Sequence, residues 1–424
     1  MLSPTPLSLF CALLLCLPLA VVFTVRTPTT ASTTSITTIT TTITIGSHKN
    51  PGTIVVHKLD RTQNYQKMEL QSTTAPPLSP PPEAIVVPKL DRTQNHQEMG
   101  LESTTAQPLP PPPDDEDSLF RSASLANPKP SPRTSPKKVA FMFLTTAALP
   151  FAPLWELYFN QTSKNLFNIY VHADPTYQYE PPFSGVFAHR VIPSKPTRRY
   201  TPTLTSAARR LLARALLDDP SNAMFALLSP SCVPLHSFKF TYKTLISSKK
   251  SFIEILQNEG GAFGRWAARG EDAMLPEVKL EEFRIGSQFW VLTRKHASLV
   301  VRDRRLWSKF KLPCLVWSTC YPEENYFPTL LSMGDPRRCV PATLTHVDWR
   351  GQFDGHPRTY EASEVGPNLI LSLRKYRPRY GDDRTNGSDS SVSKRRDPFL
   401  FARKFSFNSI EPLMSIAIDV LFKD

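Results

Sequence analysis

Val139-Ala140-Phe141-Met142-Phe143-Leu144, Asn168-Ile169-Tyr170-Val171-His172 and Met224-Phe225-Ala226-Leu227-Leu228 are three apolar runs of strand length. Between the last two, Leu204 to Leu217 sets Leu204, Ala207, Ala208, Leu211 and Ala215 on one helical face, with Pro202 near its start and Asp218-Asp219-Pro220 at its stop. Strands alternating with helices of this kind predict an α/β layer with a largely parallel central sheet. Ligands in such sheets sit beyond the carboxyl ends of the strands, which brings forward Thr145, Asp174 and Ser229 to Cys232 as site positions.

Composition separates this region from what precedes it. Twenty of the 42 prolines and none of the six tryptophans lie before Lys137. Without large apolar side chains the entropy of ordering a chain is not offset, so residues 27-136 read as a disordered tether and residues 137-424 as one globular domain. The net charge of +13 is spread in short pairs such as Arg209-Arg210, Arg304-Arg305 and Arg337-Arg338, with no nucleic-acid motif beside them. Those pairs read as a solvated basic surface, or as attraction for an anionic substrate such as a nucleotide diphosphate. Cys232, Cys314, Cys320 and Cys339 have no CxxC spacing, which argues against a zinc site and for one or two disulfides in an oxidising compartment, with buried thiols as the alternative.

Leu7 to Val25 is uncharged and long enough to cross a bilayer as a helix, so residues 1-26 are expected to form a cytoplasmic end and transmembrane anchor; a cleaved signal peptide is the competing reading. Residues 27-45 hold eleven threonines, an extended tract open to O-glycosylation. Ile54 to Pro80 then recurs as Ile85 to Pro111, offset by 31 residues, and lengthens the stem before the proline run 110-113 and the acids Asp114 to Asp117. Asn160-Gln161-Thr162 and Asn386-Gly387-Ser388 are N-glycosylation acceptors.

Standard catalytic machinery is absent: there is no HExxH, GxSxG, P-loop or Rossmann glycine fingerprint. Asp115-Glu116-Asp117 has the Asp-x-Asp spelling of a sugar-transferase metal site but falls in the stem, whereas the strand end reads Ser229-Pro230-Ser231-Cys232. No metal is therefore expected, and cations on side chains must balance any departing diphosphate.

Lys138 to Thr145, Pro153 to Glu156, Ile169 to Asp174, Leu228 to Leu235, Phe283 to Arg294, Glu323 to Leu330, Val347-Asp348-Trp349 and Phe401 to Phe405 together resemble the plant branch of the core-2/I-branching β-1,6-N-acetylglucosaminyltransferase family. The resemblance implies a GT-A-like fold, a type II Golgi membrane protein with a lumenal catalytic domain, and inverting, metal-independent transfer from a UDP-sugar. It implies Glu324, in Pro322-Glu323-Glu324-Asn325-Tyr326-Phe327-Pro328, as the general base, since an inverting transfer needs one carboxylate to take the acceptor's proton. The alternative is that both glutamates merely open a helix behind Pro322.

The same resemblance implies that Lys404, with Arg358 as a second cation, grips the donor diphosphate, and that Thr145, His172 and Asp174 face the uridine. An edge-strand lysine and a turn aspartate before Pro175 are the plain readings of Lys404 and Asp174. Trp349 matches an acceptor-side tryptophan, and Ser287, Trp290 and Glu277 are expected along the same cleft. Asn325 stands where relatives often have His, and Arg199-Tyr200 where many have Trp-Gly. The expected function is transfer of GlcNAc or a related sugar to a glycan or glycoprotein hydroxyl, without cofactor or nucleic-acid partner; a catalytically silent family member that binds glycans or aids assembly is the rival.

Overall fold

A computed structural model of the protein describes residues 116-129, 136-351, 355-382 and 395-424, together with a two-residue antiparallel ladder between Thr42–Ile43 and Ile54–Val55. Residues 1-103 and 104-424 form separate compact units. The expected anchor at residues 7-25, most of the stem and Asn386 lie outside the described residues. No helix among the described residues is long and apolar enough to cross a membrane.

The unit of residues 104-424 is mixed α/β, built on a six-stranded, largely parallel sheet. Its strands are β1 (Lys138–Thr145), β2 (Phe167–Ala173), β3 (Asn222–Leu228), β5 (Ser251–Phe252), β6 (Val291–Thr293) and β7 (Cys339–Val340), in the spatial order β2-β1-β3-β6-β5-β7. Only β6 runs against its neighbours. β4 (Val233–Pro234), β8 (Thr345–Val347) and β9 (Phe401–Arg403) make a second, three-stranded sheet in the order β8-β9-β4.

Alternation along the strands divides the interior into two cores. Val139, Phe141 and Phe143 of β1 join Trp155, Tyr158 and Phe401 on one face, whereas Ala140, Met142 and Leu144 join Leu211, Trp290 and Phe327 on the other. Large residues sit beside small ones across the β1–β3 pairing: Phe141 lies opposite Ala226, and Ala140 opposite Phe225.

Among the described residues the helices of eight residues or more are α1 (Glu116–Ser124), α2 (Ala152–Phe159), α3 (Thr203–Asp218), α4 (Phe238–Ser247), α5 (Arg294–Arg302), α6 (Pro322–Gly334) and α7 (Pro367–Lys375). α3 is the helix expected at 204-217, and it stops where Asp219 precedes Pro220 and is held in an extended conformation.

Two expectations are corrected. Residues 116-129 were placed in the disordered stem, yet α1 folds onto α3 and α5. Its acids open the helix, Leu119 and Ala123 are buried, and the carbonyls of Ser124 and Asn127 accept from Arg302 and Arg294 at 2.7 and 2.8 Å. The pair Arg209-Arg210, read as solvated, is buried at 3% and 1% exposure. Arg209 lies over the rings of Phe120 and Trp307 and donates to the carbonyl of Asp303 at 2.7 Å, while Arg210 pairs with Glu116 at 2.9 Å. A guanidinium tolerates such burial because its flat face stacks while its edge donates. Of the four cysteines of this unit, Cys314 and Cys320 form a disulfide, whereas Cys232 and Cys339 are buried free thiols.

Candidate active site

The carboxyl ends of β1 and β2 are tied together first. Thr145 Oγ1 donates to the carbonyl of His172 at 3.1 Å and meets the Tyr179 hydroxyl at 3.0 Å. His172 is fully buried; burial first, then the charge of Arg210, pushes its pKa down to about 4, so it is a neutral imidazole whose Nε2 accepts from the Lys195 amide. Its Nδ1 is buried without a hydrogen-bond partner among the described residues.

Asp174 takes four hydrogen bonds. Thr176 N and Oγ1 donate to Oδ1, and Thr197 N and Oγ1 donate to Oδ2, all within 2.7 to 2.8 Å. Burial opposes ionisation here, but these donors outweigh it and hold the pKa near 2. A carboxylate offers about four lone-pair sites, so all are taken, and contact with a donor nucleotide would displace one of these bonds. In this structure Asp174 is the clamp that fixes residues 194-200 against the strand ends.

That segment delivers Arg199 and Tyr200 to a second cluster around Glu324. Glu324 lies in the first turn of α6, where negative charge suits the helix dipole, and its Oε2 accepts from Arg265 at 2.7 Å. Arg265 also lies 4.5 Å over the ring of Tyr321. The backbone of α6 is stapled to the Gly286 loop, whose amide donates to the Glu324 carbonyl at 2.9 Å. Gly286 is required at this crossing, because a Cβ there would sit 2.1 Å from the carbonyl oxygen of Glu254. Asn325 is buried and donates to the Arg284 carbonyl at 3.3 Å, so its amide ties α6 to the same loop.

The two adjacent glutamates differ sharply. The side chain of Glu324 is 31% exposed, while Glu323 is 4% exposed, its Oε2 without a hydrogen-bond partner among the described residues. Burial pushes the Glu323 carboxyl up to about 7. Of the two, only Glu324 presents its carboxylate to solvent.

Cations come from the end of β9. Arg403 lies 4.6 Å over the ring of Phe289, has a buried Nε without a hydrogen-bond partner among the described residues, and is close enough to Glu324 and Arg199 to feel their charges; burial lowers its pKa. Lys404 follows it, and its carbonyl accepts from the Tyr360 amide at 2.8 Å. Arg358 is anchored beside this strand, 5.0 Å over Tyr360 and paired with Glu364, with Asp348 at 3.8 Å. Hydrogen bonds from Arg350 hold the Asp348 carboxyl far below the usual range.

The remaining expected positions are spread more widely. Ser287 Oγ accepts from the Phe289 amide at 3.1 Å, in the loop that follows Gly286. Trp290 is 1% exposed and packs 4.9 Å from Phe327, so it belongs to the core and has no free face. Trp349 is 54% exposed beside Arg350. Glu277 is held by Lys309 at 3.0 Å, outside the contacts that surround Glu324. Asn160 is exposed at the end of α2, where an acceptor asparagine is accessible.

Three residues of the cluster escaped the sequence reading. Arg265 lies 59 residues from its partner Glu324, with no motif to link them. Glu254 follows β5 and takes a hydrogen bond from the Ser287 amide; burial pushes it up to about 7, opposed by Arg379 and reinforced by Glu259 and Glu324. Arg403 was visible as the residue before Lys404, but nothing in the pattern told a cleft cation from a surface one.

Comparison with known proteins bears on this geometry. The family model described as Core-2/I-Branching enzyme matches residues 139–374. The chain is 30% identical over 300 residues to "Glycosyltransferase BC10" of Oryza sativa subsp. japonica, a match that covers 63% of this chain and 74% of that protein.

Proposed function

The chain belongs to the core-2/I-branching enzyme family of glycosyltransferases, and from that premise we propose that it moves GlcNAc or a related sugar from a UDP-sugar to a glycan hydroxyl, with inversion, on a GT-A-like fold. The observation that carries this reading is the accessible Glu324 carboxylate, held at 2.7 Å by Arg265 and close enough to Arg403, at the end of β9, for their charges to interact. Glu324 takes the proton of the acceptor hydroxyl as that oxygen attacks the anomeric carbon. The bond from that carbon to the diphosphate breaks, and UDP departs with the electron pair. Lys404 and Arg403 offset the charge that develops on the diphosphate, the role a metal fills in other transferases. Thr145 and His172 border the nucleoside end, where a neutral imidazole offers hydrogen bonding without charge.

The Cys314–Cys320 disulfide supports placement in an oxidising compartment, in keeping with a lumenal Golgi enzyme. The test is UDP release from a panel of UDP-sugars with glycan acceptors, comparing wild type with Glu324→Gln. The amide keeps shape and hydrogen bonding but accepts no proton, so turnover should fall by roughly 10²-fold or more while UDP affinity stays within about 2-fold. Equal turnover in the two proteins removes Glu324 from the mechanism. UDP binding without turnover of any donor in the wild type would identify a silent member of the family.

A further inference from the structure

Beside Glu324 the structure exposes a line of aromatic rings that the proposed chemistry does not use. Arg265, the partner of Glu324, covers Tyr321. The ring of Tyr321 lies 5.4 Å from that of Tyr200, and Tyr200 lies 5.6 Å from Trp317, which is 64% exposed. Arg199 lies 4.9 Å over Tyr200 and reaches the His356 ring at 3.0 Å. Tyr200 holds this place at φ 64, a left-handed conformation that a bulky non-glycine residue adopts only at a cost.

The outer end of the line is rigid. Trp317 lies in the loop closed by Cys314 and Cys320, and the amides of Leu315 and Val316 both donate to the Ala268 carbonyl, at 2.8 and 3.0 Å. Thr319 Oγ1 donates to the Gly264 carbonyl at 3.2 Å. The segment that carries Arg265 thus also anchors the loop that carries Trp317, so the ledge keeps its distance from Glu324.

We propose that Tyr321, Tyr200 and Trp317 form a distal acceptor subsite, which binds the second and third sugars of an oligosaccharide whose terminal hydroxyl lies at Glu324. The exposed ring of Trp317 presents an apolar face that matches the C–H face of a pyranose; Tyr200 meets Trp317 and Tyr321 edge to face, at 65° and 70°, and the row they make from Glu324 to solvent suits a chain rather than a single sugar. Arg199 donates to ring-edge hydroxyls at the middle position. The inference rests on the transferase reading and adds the length of its acceptor.

The experiment uses the purified protein with chitotriose, cellotriose and β-1,4-galactotriose, each beside its monosaccharide methyl glycoside, and reads UDP release. For the best acceptor pair, the wild-type KM for the trisaccharide should be about 10-fold or more below that of the monosaccharide, the scale of one or two ring contacts. That ratio should fall to within about 2-fold in Trp317→Ala and in Tyr200→Gly, and persist in Trp317→Phe. Tyr200→Gly guards against misfolding, because glycine suits the positive φ. An absent trisaccharide advantage in the wild type, or one that survives both Trp317→Ala and Tyr200→Gly, overturns the subsite. If no donor is turned over at all, the transferase reading fails by itself. Calorimetric titration with the same trisaccharides then judges the ledge: binding lost in Tyr200→Gly upholds it, and no binding to wild type overturns it.

Discussion

At Glu323 a carboxyl is buried beside Glu324, the proposed base, and its protonation links pH to stability. Its pKa in the fold, about 7, lies above the ordinary 4.5. The protonated form therefore contributes stability that is complete below pH 4.5 and is lost as pH rises through 7. Glu323→Gln copies the protonated form, so it should raise the melting temperature at pH 8 by several degrees, from a gain of up to about 3 kcal/mol, and change it little at pH 5. Melting curves at the two pH values check this; an equal shift at both would mean that Glu323 stays ionised in the fold. The contrast with Glu324 also shows what could be read from the chain. Both acids stand in one motif, and the resemblance singled out Glu324. Burial of its neighbour depends on α6 packing against the Gly286 loop, which no local pattern encodes.

At the scale of elements, α1 is the clearest surprise. It follows a proline run and opens with acids, so by composition it belongs to the tether, and only tertiary partners make it a helix. Glu116 satisfies Arg210, Phe120 lies under Arg209, and the carbonyls that follow α1 satisfy Arg294 and Arg302. Removing residues 27-130 should therefore lower the melting temperature markedly, since stripping the partner from a buried guanidinium costs about 3 kcal/mol or more. Removing only residues 27-103, which belong to the separate unit 1-103, should leave it unchanged. Thermal unfolding of the two truncations decides the matter, and identical values would deny α1 a structural role. β1, β2, β3 and α3 were legible because their apolar runs span five residues or more. β6 was not, because three residues carry no period, and its reversed direction depends on where α5 must begin.

Across the whole molecule the proposed donor site draws on both sheets, with Thr145 and His172 toward the end of one and Arg403, followed by Lys404, at the end of the other. A ligand that spans them should stabilise the fold as a unit. UDP at 100 times its Kd is expected to add about 2.7 kcal/mol, seen as a rise of several degrees in melting temperature, with or without EDTA. Lys404→Ala should shrink that rise by weakening UDP, where Glu324→Gln leaves it intact. A UDP effect that vanishes on chelation would overturn the metal-free reading.

The pairing of unequal side chains across β1 and β3 has a consequence for how the chain finds this sheet. Slipped by one residue, β1 would turn Phe141 and Phe143 toward slots sized for Ala140 and Met142, and set Phe141 beside Phe225 instead of Ala226. The wrong alignment leaves one layer overfull and the other hollow, so neither face can close over it. Mismatched bulk thus serves as a proofreading key: a strand in the wrong register is rejected for its shape before any loop or ligand has a part in the outcome.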